Sequence, residues 1–222
     1  GAFESPIKVT IADDLKDKAC PHFIGRVIRG VKNGPSPDWL QARLKAIGLR
    51  PISALVDITN FFTFDQNRPL HVFDADIVKG DLNVRWVDAP TEYEGLDDKT
   101  YTVEPGMMGI YDDEGLESIG GCLGGAHTGC TEDTVNVFLE SAYWDPVTIA
   151  ATGRKLRLNS DAKYRFERGV DPAFTLPGLE AATRMILDIC GGEASEVVQD
   201  GARLPTDRAY KLDTDRVASL VG

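Results

Sequence analysis

The sequence predicts an α+β fold: a mixed β-sheet with a barrel-like core and several flanking helices, forming one compact module. Short runs of alternating or β-branched residues, typical of strands, recur between residues 6 and 141. Three helix starts then follow one another between residues 145 and 172. Apolar residues make up 42% and charged residues 27% of the 222 residues, as in globular proteins that bury a core.

The first third of the chain predicts two strands and two helices. Residues 6–11 and 22–31 alternate as strands, with Gly25 as a bulge in the second. Ser36 is the predicted N-cap of a helix that ends at Gly48. Residues 52–65 contain strand-forming residues, but their apolar side chains also recur at helical spacing, which favours a helix.

The middle and the second half predict strands first and helices later. A turn and a short extended piece are expected over residues 69–74, and strands over residues 82–87, 99–103, 108–112 and 135–141. Asp145 and Ser160 then begin short helices, and Asp171 begins a long one that ends at Gly191. Pro177 should kink that helix or restart it. Residues 194–200 predict the last strand of this module.

A change of composition near residue 204 predicts a domain boundary. We expect residues 1–203 to form one domain and residues 204–222 to be the truncated start of the following domain. In that second part, residues 209–212 have the pattern of a strand and residues 213–221 that of a helix, cut off at Gly222. The chain is therefore expected to be a piece of a longer protein.

Composition and charge exclude several classes of protein. No apolar run approaches the roughly 20 residues of a membrane span, and no signal-peptide pattern opens the chain. Four cysteines are too few for a disulfide scaffold at this length, so reduced thiols and a cytoplasmic location are expected. The net charge is −11, whereas proteins that bind RNA on their own usually carry a basic surface. Nucleic acid would therefore be bound weakly or within a larger assembly.

Residues 120–125 (GGCLGG) are a candidate ligand-binding loop. Glycine lets bare backbone approach a ligand, and successive N–H groups can form an anion-binding concavity. The loop is not a Walker A motif, because no Gly-Lys-Ser/Thr follows, and its spacing is not that of a dinucleotide fingerprint. The alternative is a tight structural turn.

Glu140 and His71 are the candidate polar groups of a pocket walled by this loop. Glu140 closes an alternating strand and shares one face with Phe138, so its carboxylate could face a pocket beside Phe138 and accept a hydrogen bond from a ligand hydroxyl. A solvated strand end is the alternative. His71, between apolar residues, is either a core histidine or an imidazole that positions or deprotonates water.

Two further clusters have competing interpretations. Cys122, His127 and Cys130 could suggest zinc or a thiol nucleophile, but they supply only three ligands without a paired Cys-x-x-Cys spacing, so no metal site is predicted. Residues 154–168 form the basic cluster of the chain. Its first members, Arg154, Lys155 and Arg157, are candidates for contact with RNA phosphate or a partner subunit, and an ion-paired helix surface is the alternative.

Eight blocks in fixed order, spread over about residues 6–200, resemble the editing module of bacterial phenylalanyl-tRNA synthetase beta subunits. The blocks are residues 48–50 (GLR), 56–60 (VDITN), 69–74 (PLHVFD), 120–125 (GGCLGG), 138–142 (FLESA), 160–162 (SDA), 165–172 (RFERGVDP) and 189–192 (ICGG). This resemblance implies hydrolysis of the ester of tRNA(Phe) mischarged with tyrosine. A separate site is useful because a hydrophobic pocket rejects an added hydroxyl only by about 10²-fold.

The resemblance also assigns roles to residues. Glu140 would bind the tyrosine hydroxyl, Gly121 and Gly124 would let the substrate approach the backbone, and Ala162 would leave room for the ring, with Ser160 beside it. Ser160 stands where the family pattern has threonine.

Around the ester and its attacking water, the resemblance places His71, Arg50 and Asn60. Ala126 stands where the family pattern has glutamate. Backbone N–H groups of residues 121–125 would stabilise the oxyanion.

Partners and cofactors follow from the same resemblance. It implies an alpha subunit within a heterotetramer, the acceptor end of tRNA(Phe) and tyrosine as ligand, with no membrane. Editing would need no cofactor, and ATP and Mg would bind only in the aminoacylation site outside this chain. A scaffold that docks tRNA or the alpha subunit without chemistry is the alternative function.

Overall fold

The computed structural model describes residues 1–205 and 209–221. Its strands are β1 (Val9–Ile11), β2 (His22–Arg29), β3 (His71–Asp74), β4 (Leu82–Trp86), β5 (Thr91–Glu94), β6 (Thr100–Val103), β7 (Met108–Tyr111), β8 (Leu116–Ile119), β9 (Leu123–Gly124), β10 (Val137–Tyr143), β11 (Glu193–Ala194) and β12 (Val198–Gly201). Its helices are α1 (Asp13–Lys16), α2 (Asp38–Ala46), α3 (Ala54–Asp65), α4 (Pro146–Leu156), α5 (Asp161–Phe166), α6 (Thr175–Cys190) and α7 (Thr214–Val221), with a 3-10 turn at Pro172–Phe174.

A sheet with β2 and β10 at its centre separates two hydrophobic cores. Its order is β11-β2-β10-β3, with β12 also paired to β2, and β10 is antiparallel to both of its neighbours. Because side chains alternate between the faces of a strand, Ile24, Ile28 and Leu139 point to a core shared with α2, α3 and α6. Phe23 and Phe138 point to the other core.

A second sheet, of order β1-β4-β7-β8-β9, encloses that other core together with the hairpin β5–β6. Its β1–β4 pair is parallel and its remaining pairs are antiparallel, so the sheet is mixed. The α+β prediction is confirmed. The described strands form open sheets and do not close into a barrel.

Several predicted elements are confirmed, including α3 in the ambiguous segment and α4 behind Asp145, whose carboxylate accepts the Thr148 N–H at 2.8 Å. The predicted cap at Ser36 is wrong: α2 begins after Pro37, and the Ser36 hydroxyl instead donates to the Asp57 carboxylate. The predicted bulge at Gly25 is also wrong, because β2 and β10 pair without a register shift and the Phe138 ring occupies the space beside Gly25.

The C-terminal elements differ from the prediction in detail. Pro177 lies in the first turn of α6, where its missing N–H costs no helical bond, and α6 begins after the 3-10 turn, which agrees with the predicted restart. The predicted last strand is split into β11 and β12. Residues 209–212 form no strand, although α7 is present and every described residue of it is exposed. Residues 206–208 and Gly222, which belong to the predicted second domain, lie outside the described residues.

None of the helices in the described part of the chain is both long and apolar enough to cross a lipid bilayer.

Candidate functional site

A cavity opens where β3 and β10 face the 120–125 loop and the start of α5. It brings together five of the predicted site residues: His71, Gly121, Gly124, Glu140 and Ala162. The remaining lining residues are Pro69, Leu70, Ser118, Ile119, Cys122, Leu123 and Phe166. Residues that are far apart in the sequence therefore form one largely apolar site that contains the carboxyl of Glu140 and the imidazole of His71.

Glu140 lies in the middle of β10, and the prediction that it ends a strand is wrong because β10 continues to Tyr143. Its side chain is on the same face of the sheet as Phe138. The residue is 6% exposed, and its Oε2 atom has no hydrogen-bond partner within the protein. Burial raises the pKa of this carboxyl to about 8, although the positive charge of Arg68 acts in the opposite direction.

His71 is the direct cross-strand neighbour of Glu140 in the β3–β10 pair. Its ring packs edge-on against Phe73, with ring centroids 4.4 Å apart, and its Nε2 atom has no hydrogen-bond partner within the protein. Burial lowers the pKa of the imidazole to about 4, so the ring is neutral at physiological pH. The cavity thus contains two unpaired buried polar atoms, one on each strand, and buried polar atoms normally have partners.

The glycine loop fits closely against these side chains. A Cβ atom on Gly124 would lie 2.2 Å from Cε1 and 2.8 Å from Nε2 of His71, so a larger residue would displace the imidazole. Gly121 has φ of +69°, a left-handed conformation that glycine adopts without strain. Gly121 therefore allows the backbone to turn, and Gly124 allows the loop to pack against the imidazole of His71.

Hydrogen bonds within the loop limit which N–H groups can bind a ligand. The N–H groups of Gly120, Cys122 and Gly125 donate to Met108 O, Ile119 O and Glu117 O at 2.9, 2.9 and 3.0 Å. The N–H group of Gly121 donates to no backbone carbonyl in the described residues. Of the predicted oxyanion donors, Cys122 and Gly125 N–H are thus occupied, whereas Gly121 N–H is one that remains available.

The start of α5 is fastened to the loop by Ser160. The Ser160 side chain accepts the Lys163 N–H at 3.0 Å as the N-cap of α5, and its hydroxyl donates to the carbonyl of Cys122. Ser160 therefore does not line the cavity itself but fixes α5, and with it Ala162, against the loop.

Besides Ser160, three further predicted substrate-binding residues are not among those that line the cavity. Phe138 is fully buried and packs against Phe73 and Gly25, so it supports the site from below. Arg50 is exposed in the segment after α2, and Asn60 is half-buried on α3. Phe138 was expected to contact the ligand, but it is covered by β3 and the second sheet. Alternation along a strand indicates which face a side chain is on, but not what covers that face.

Sequence reasoning missed two residues of the site. Phe166, on α5, lines the cavity, and Arg68, before β3, is 1% exposed behind it. The available signal for Arg68 was its position directly before the 69–74 block, but arginine is rarely fully buried and is read first as a surface residue.

The cysteine–histidine cluster has a different arrangement from a metal or thiol site. His127 pairs with the buried Glu117 carboxylate at 3.1 Å, and burial raises the pKa of Cys122 to about 12, so its thiol is protonated and a weak nucleophile. All four cysteines are unpaired. Within residues 1–205 and 209–221, no group of three or more His, Cys, Asp or Glu side chains is placed to hold a metal ion.

The basic cluster is largely an ion-paired surface. Lys155 pairs with Glu104, Lys163 with Glu167 and Arg168 with Glu167. Arg165 lies 3.7 Å from Asp161. Among the described residues, no ion pair involves Arg154 or Arg157, and both are exposed. These two side chains are therefore the free cations at the end of α4.

Comparisons with known proteins point to one family. The B3/4 domain family matches residues 19–191. The phenylalanine–tRNA ligase beta subunits of Cereibacter sphaeroides and Ruegeria pomeroyi are 66% and 68% identical to the chain over 222 residues, which are 100% of this chain and 28% of each relative. The chain thus spans less than a third of the length of these relatives.

A solved structure shares the fold. The crystal structure of an N-terminal fragment of the phenylalanyl-tRNA synthetase beta subunit from Pyrococcus horikoshii superposes with a TM-score of 0.55 and covers 99% of this chain and 61% of that chain. At 14% identity, this similarity concerns the fold alone.

Proposed function

Because the chain belongs to the B3/4 domain family, we propose that it is the editing module of a phenylalanine–tRNA ligase beta subunit and hydrolyses the ester of tRNA(Phe) mischarged with tyrosine. The names of the relatives support this proposal at the level of the whole protein. The observation that supports the chemistry is the cavity lined by Glu140, His71 and the glycine loop, in which Glu140 Oε2 and His71 Nε2 have no hydrogen-bond partner within the protein.

Glu140 is the proposed reader of the tyrosine hydroxyl. In an apolar cavity, its free Oε2 would remain unpaired with phenylalanine and would gain a partner with tyrosine. A carboxyl whose pKa is about 8 has both protonation states within reach at neutral pH. The ionised form accepts a charge-assisted hydrogen bond from a phenol and therefore binds it more strongly than the neutral form. Selection by a required hydrogen bond is stronger than selection by size, which is what an editing site needs.

Hydrolysis requires a water at the ester carbonyl. In the proposed reaction, the water oxygen attacks the carbonyl carbon, the bond to the ribose oxygen breaks, and that oxygen leaves with a proton. The unpartnered Nε2 of neutral His71 can hydrogen-bond and orient the water, and Gly121 N–H, which donates to no backbone carbonyl in the described residues, is the proposed donor to the oxyanion. An imidazole whose pKa is about 4 is a weak base, so positioning is its main contribution.

The surroundings of the site suggest how its partners bind. We propose that Arg154 and Arg157 contact phosphates of the tRNA acceptor end or the alpha subunit, because they are the free cations near α5 in the described chain. Because the net charge of this chain is −11, most of the affinity for tRNA phosphates should come from the rest of the parent assembly. Aminoacylation, with its ATP and Mg, would take place elsewhere in that assembly.

Glu140→Ala is expected to slow deacylation of Tyr-tRNA(Phe) about 10- to 100-fold in the intact ligase that contains this segment, because one hydrogen bond to a buried group is lost. Hydrolysis of Phe-tRNA(Phe) should change less, and the ratio of the two rates is the decisive measurement. Glu117→Gln is a matched control, since Glu117 is also a buried carboxylate but does not line the cavity. Equal loss with both tRNAs would contradict recognition of the hydroxyl.

The same assays separate editing from a purely structural role. If Glu140→Ala and His71→Ala both leave deacylation unchanged while charge reversal at Arg154 and Lys155 disrupts assembly, the chain is a docking scaffold and the editing proposal is wrong.

A further inference from the structure

Arg68 is a cation enclosed behind the cavity. It directly precedes the segment that forms one wall, and it is 1% exposed although it makes no salt bridge within the described residues. A buried charge without an ion-pair partner is costly, so its position calls for a specific reason.

The guanidinium connects three parts of the cavity wall. Its Nη2 donates to the carbonyl of Ala142 at 2.6 Å, two residues along β10 from Glu140. Its Nε donates to the carbonyl of Pro69 at 3.3 Å, next to the segment that presents His71. Its centre lies 5.3 Å from the ring centroid of Phe166, on the α5 side of the cavity.

A fourth contact extends this arrangement to α6. Arg68 Nη1 donates to the hydroxyl of Thr175 at 3.3 Å, at the first residue of that helix. The fork of arginine allows these bonds to form at once, whereas lysine offers a single ammonium group. Arg68 is thus placed to hold β10, the 69–71 segment and α5 in one arrangement.

Electrostatics single out Arg68 among the groups around Glu140. Cys20 is buried with its pKa raised well above the ordinary value, and His71 has a pKa of about 4, so both are neutral at pH 7. His22, whose pKa is lowered mainly by burial, and Asp171 also lie within the field of Arg68. Arg68 is the charged group that acts directly on the carboxyl of Glu140 and favours its ionised form.

We propose that Arg68 is the positioning residue of the cavity: its forked hydrogen bonds align the strand of Glu140 with the segment of His71, and its positive charge favours the ionised form of Glu140 against the effect of burial. This inference rests on the proposed function for its effect on hydrolysis, but the structural and electrostatic part concerns Glu140 alone. Arg68 would not touch the substrate.

The experiment compares Arg68→Lys and Arg68→Met in the full chain labelled with ¹³C on glutamate carboxyls. The Glu140 signal, assigned with Glu140→Gln, reports its titration. Arg68→Met should move the midpoint upward by about one pH unit or more, because an adjacent opposite charge is removed. In Arg68→Lys, which keeps a positive charge, the midpoint should lie close to that of the unmodified protein. In the intact ligase, the pH profile of Tyr-tRNA(Phe) deacylation should move in the same direction, with a loss of about tenfold at pH 7 for Arg68→Met.

Arg26→Met is the matched control. Arg26 is also buried, at 5% exposure, but it lies on β2 with its side chain on the opposite face of the sheet, where it pairs with Glu180 at 3.1 Å. It should lower stability without moving the Glu140 titration. Circular dichroism identifies variants that do not fold. If Arg68→Met is among them, the neutral variant Arg68→Gln is measured in its place, with Glu140→Gln as the background in which the shift of the deacylation profile should disappear.

The outcomes separate this inference from the proposed function. An unchanged Glu140 midpoint in folded Arg68→Met, or an equal shift in Arg26→Met, would overturn the role of Arg68. If the Glu140 midpoint shifts in Arg68→Met but deacylation does not depend on Glu140, the effect of Arg68 on the ionisation of Glu140 is supported and the proposed editing function is rejected.

Discussion

Gly124→Ala is expected to reduce hydrolysis of Tyr-tRNA(Phe) by about 100-fold or more, because the new methyl group displaces His71 and a displacement near 1 Å costs about that factor. The Cβ atom would lie 2.2 Å from His71 Cε1, far inside van der Waals contact. The ring cannot simply retreat, since it is buried and packs edge-on against Phe73 with centroids 4.4 Å apart. The single-turnover rate of deacylation measures this effect.

A control and a double variant distinguish this clash from a general loss of glycine. Gly34→Ala introduces a methyl group with nothing within 4 Å and should leave the rate unchanged. His71→Ala/Gly124→Ala should recover the stability lost in Gly124→Ala, because the ring that causes the clash is gone, but should stay slow. Full activity of Gly124→Ala would show that His71 and the loop are not in the arrangement described.

The free energy of unfolding of the unmodified protein is expected to fall between about pH 6.5 and 8, and Glu140→Gln should abolish this fall. The carboxyl titrates at about 8 when folded, compared with an ordinary value of 4.5. Between these values the folded state keeps a proton that the unfolded chain has released, so rising pH favours unfolding by about 1.4 kcal/mol per pH unit. Glutamine does not titrate, and the advantage of the variant should grow by about 2 kcal/mol across the window.

His71 explains why the window begins near pH 6.5. Its folded pKa of about 4 lies below the ordinary value of 6.5, so between these values the unfolded chain binds the extra proton and rising pH favours folding. This contribution opposes that of Glu140 up to pH 6.5 and then ends. Above that pH the contribution of Glu140 is no longer offset by His71.

Urea unfolding at intervals from pH 5 to 8 checks this prediction. The stability of the unmodified protein should fall from about pH 6.5, whereas the difference between Glu140→Gln and the unmodified protein, in which the contribution of His71 cancels, should grow from about pH 4.5 onward. His71→Gln provides the complementary measurement, since its stability should fall with pH from about 4.5 onward. A pH-independent difference between Glu140→Gln and the unmodified chain would mean that Glu140 does not retain its proton in the folded state.

Elements with strong local signals were predictable from the sequence. The helix over residues 54–65 follows from its apolar spacing, and α4 from the Asp145–Pro146 start. Ser36 shows the limit: it is a good N-cap residue by type, but the buried Asp57 carboxylate takes its hydroxyl. A cap is a local preference of about 1 kcal/mol, and a buried carboxylate that needs a donor outweighs it.

The candidate site was predictable in its residues but not in its arrangement. The glycine loop, His71 and Glu140 were identified from residue type, local pattern and family resemblance. Their convergence depends on the register that pairs Glu140 with His71, and a slip of one residue would turn Glu140 toward the helical core. Phe138, expected beside the ligand, is instead covered by its neighbours in the core.

Residue order and local pattern were enough for the α+β class, for most helices and strands and for the identity of the polar groups, because these depend on spacing along the chain. Only the folded structure leaves Glu140 Oε2 and His71 Nε2 without partners, raises the pKa of Glu140, lowers that of His71 and buries Arg68 behind them. The reason is physical: desolvation and hydrogen-bond satisfaction depend on what surrounds a side chain in space, and those neighbours come from segments distant in sequence.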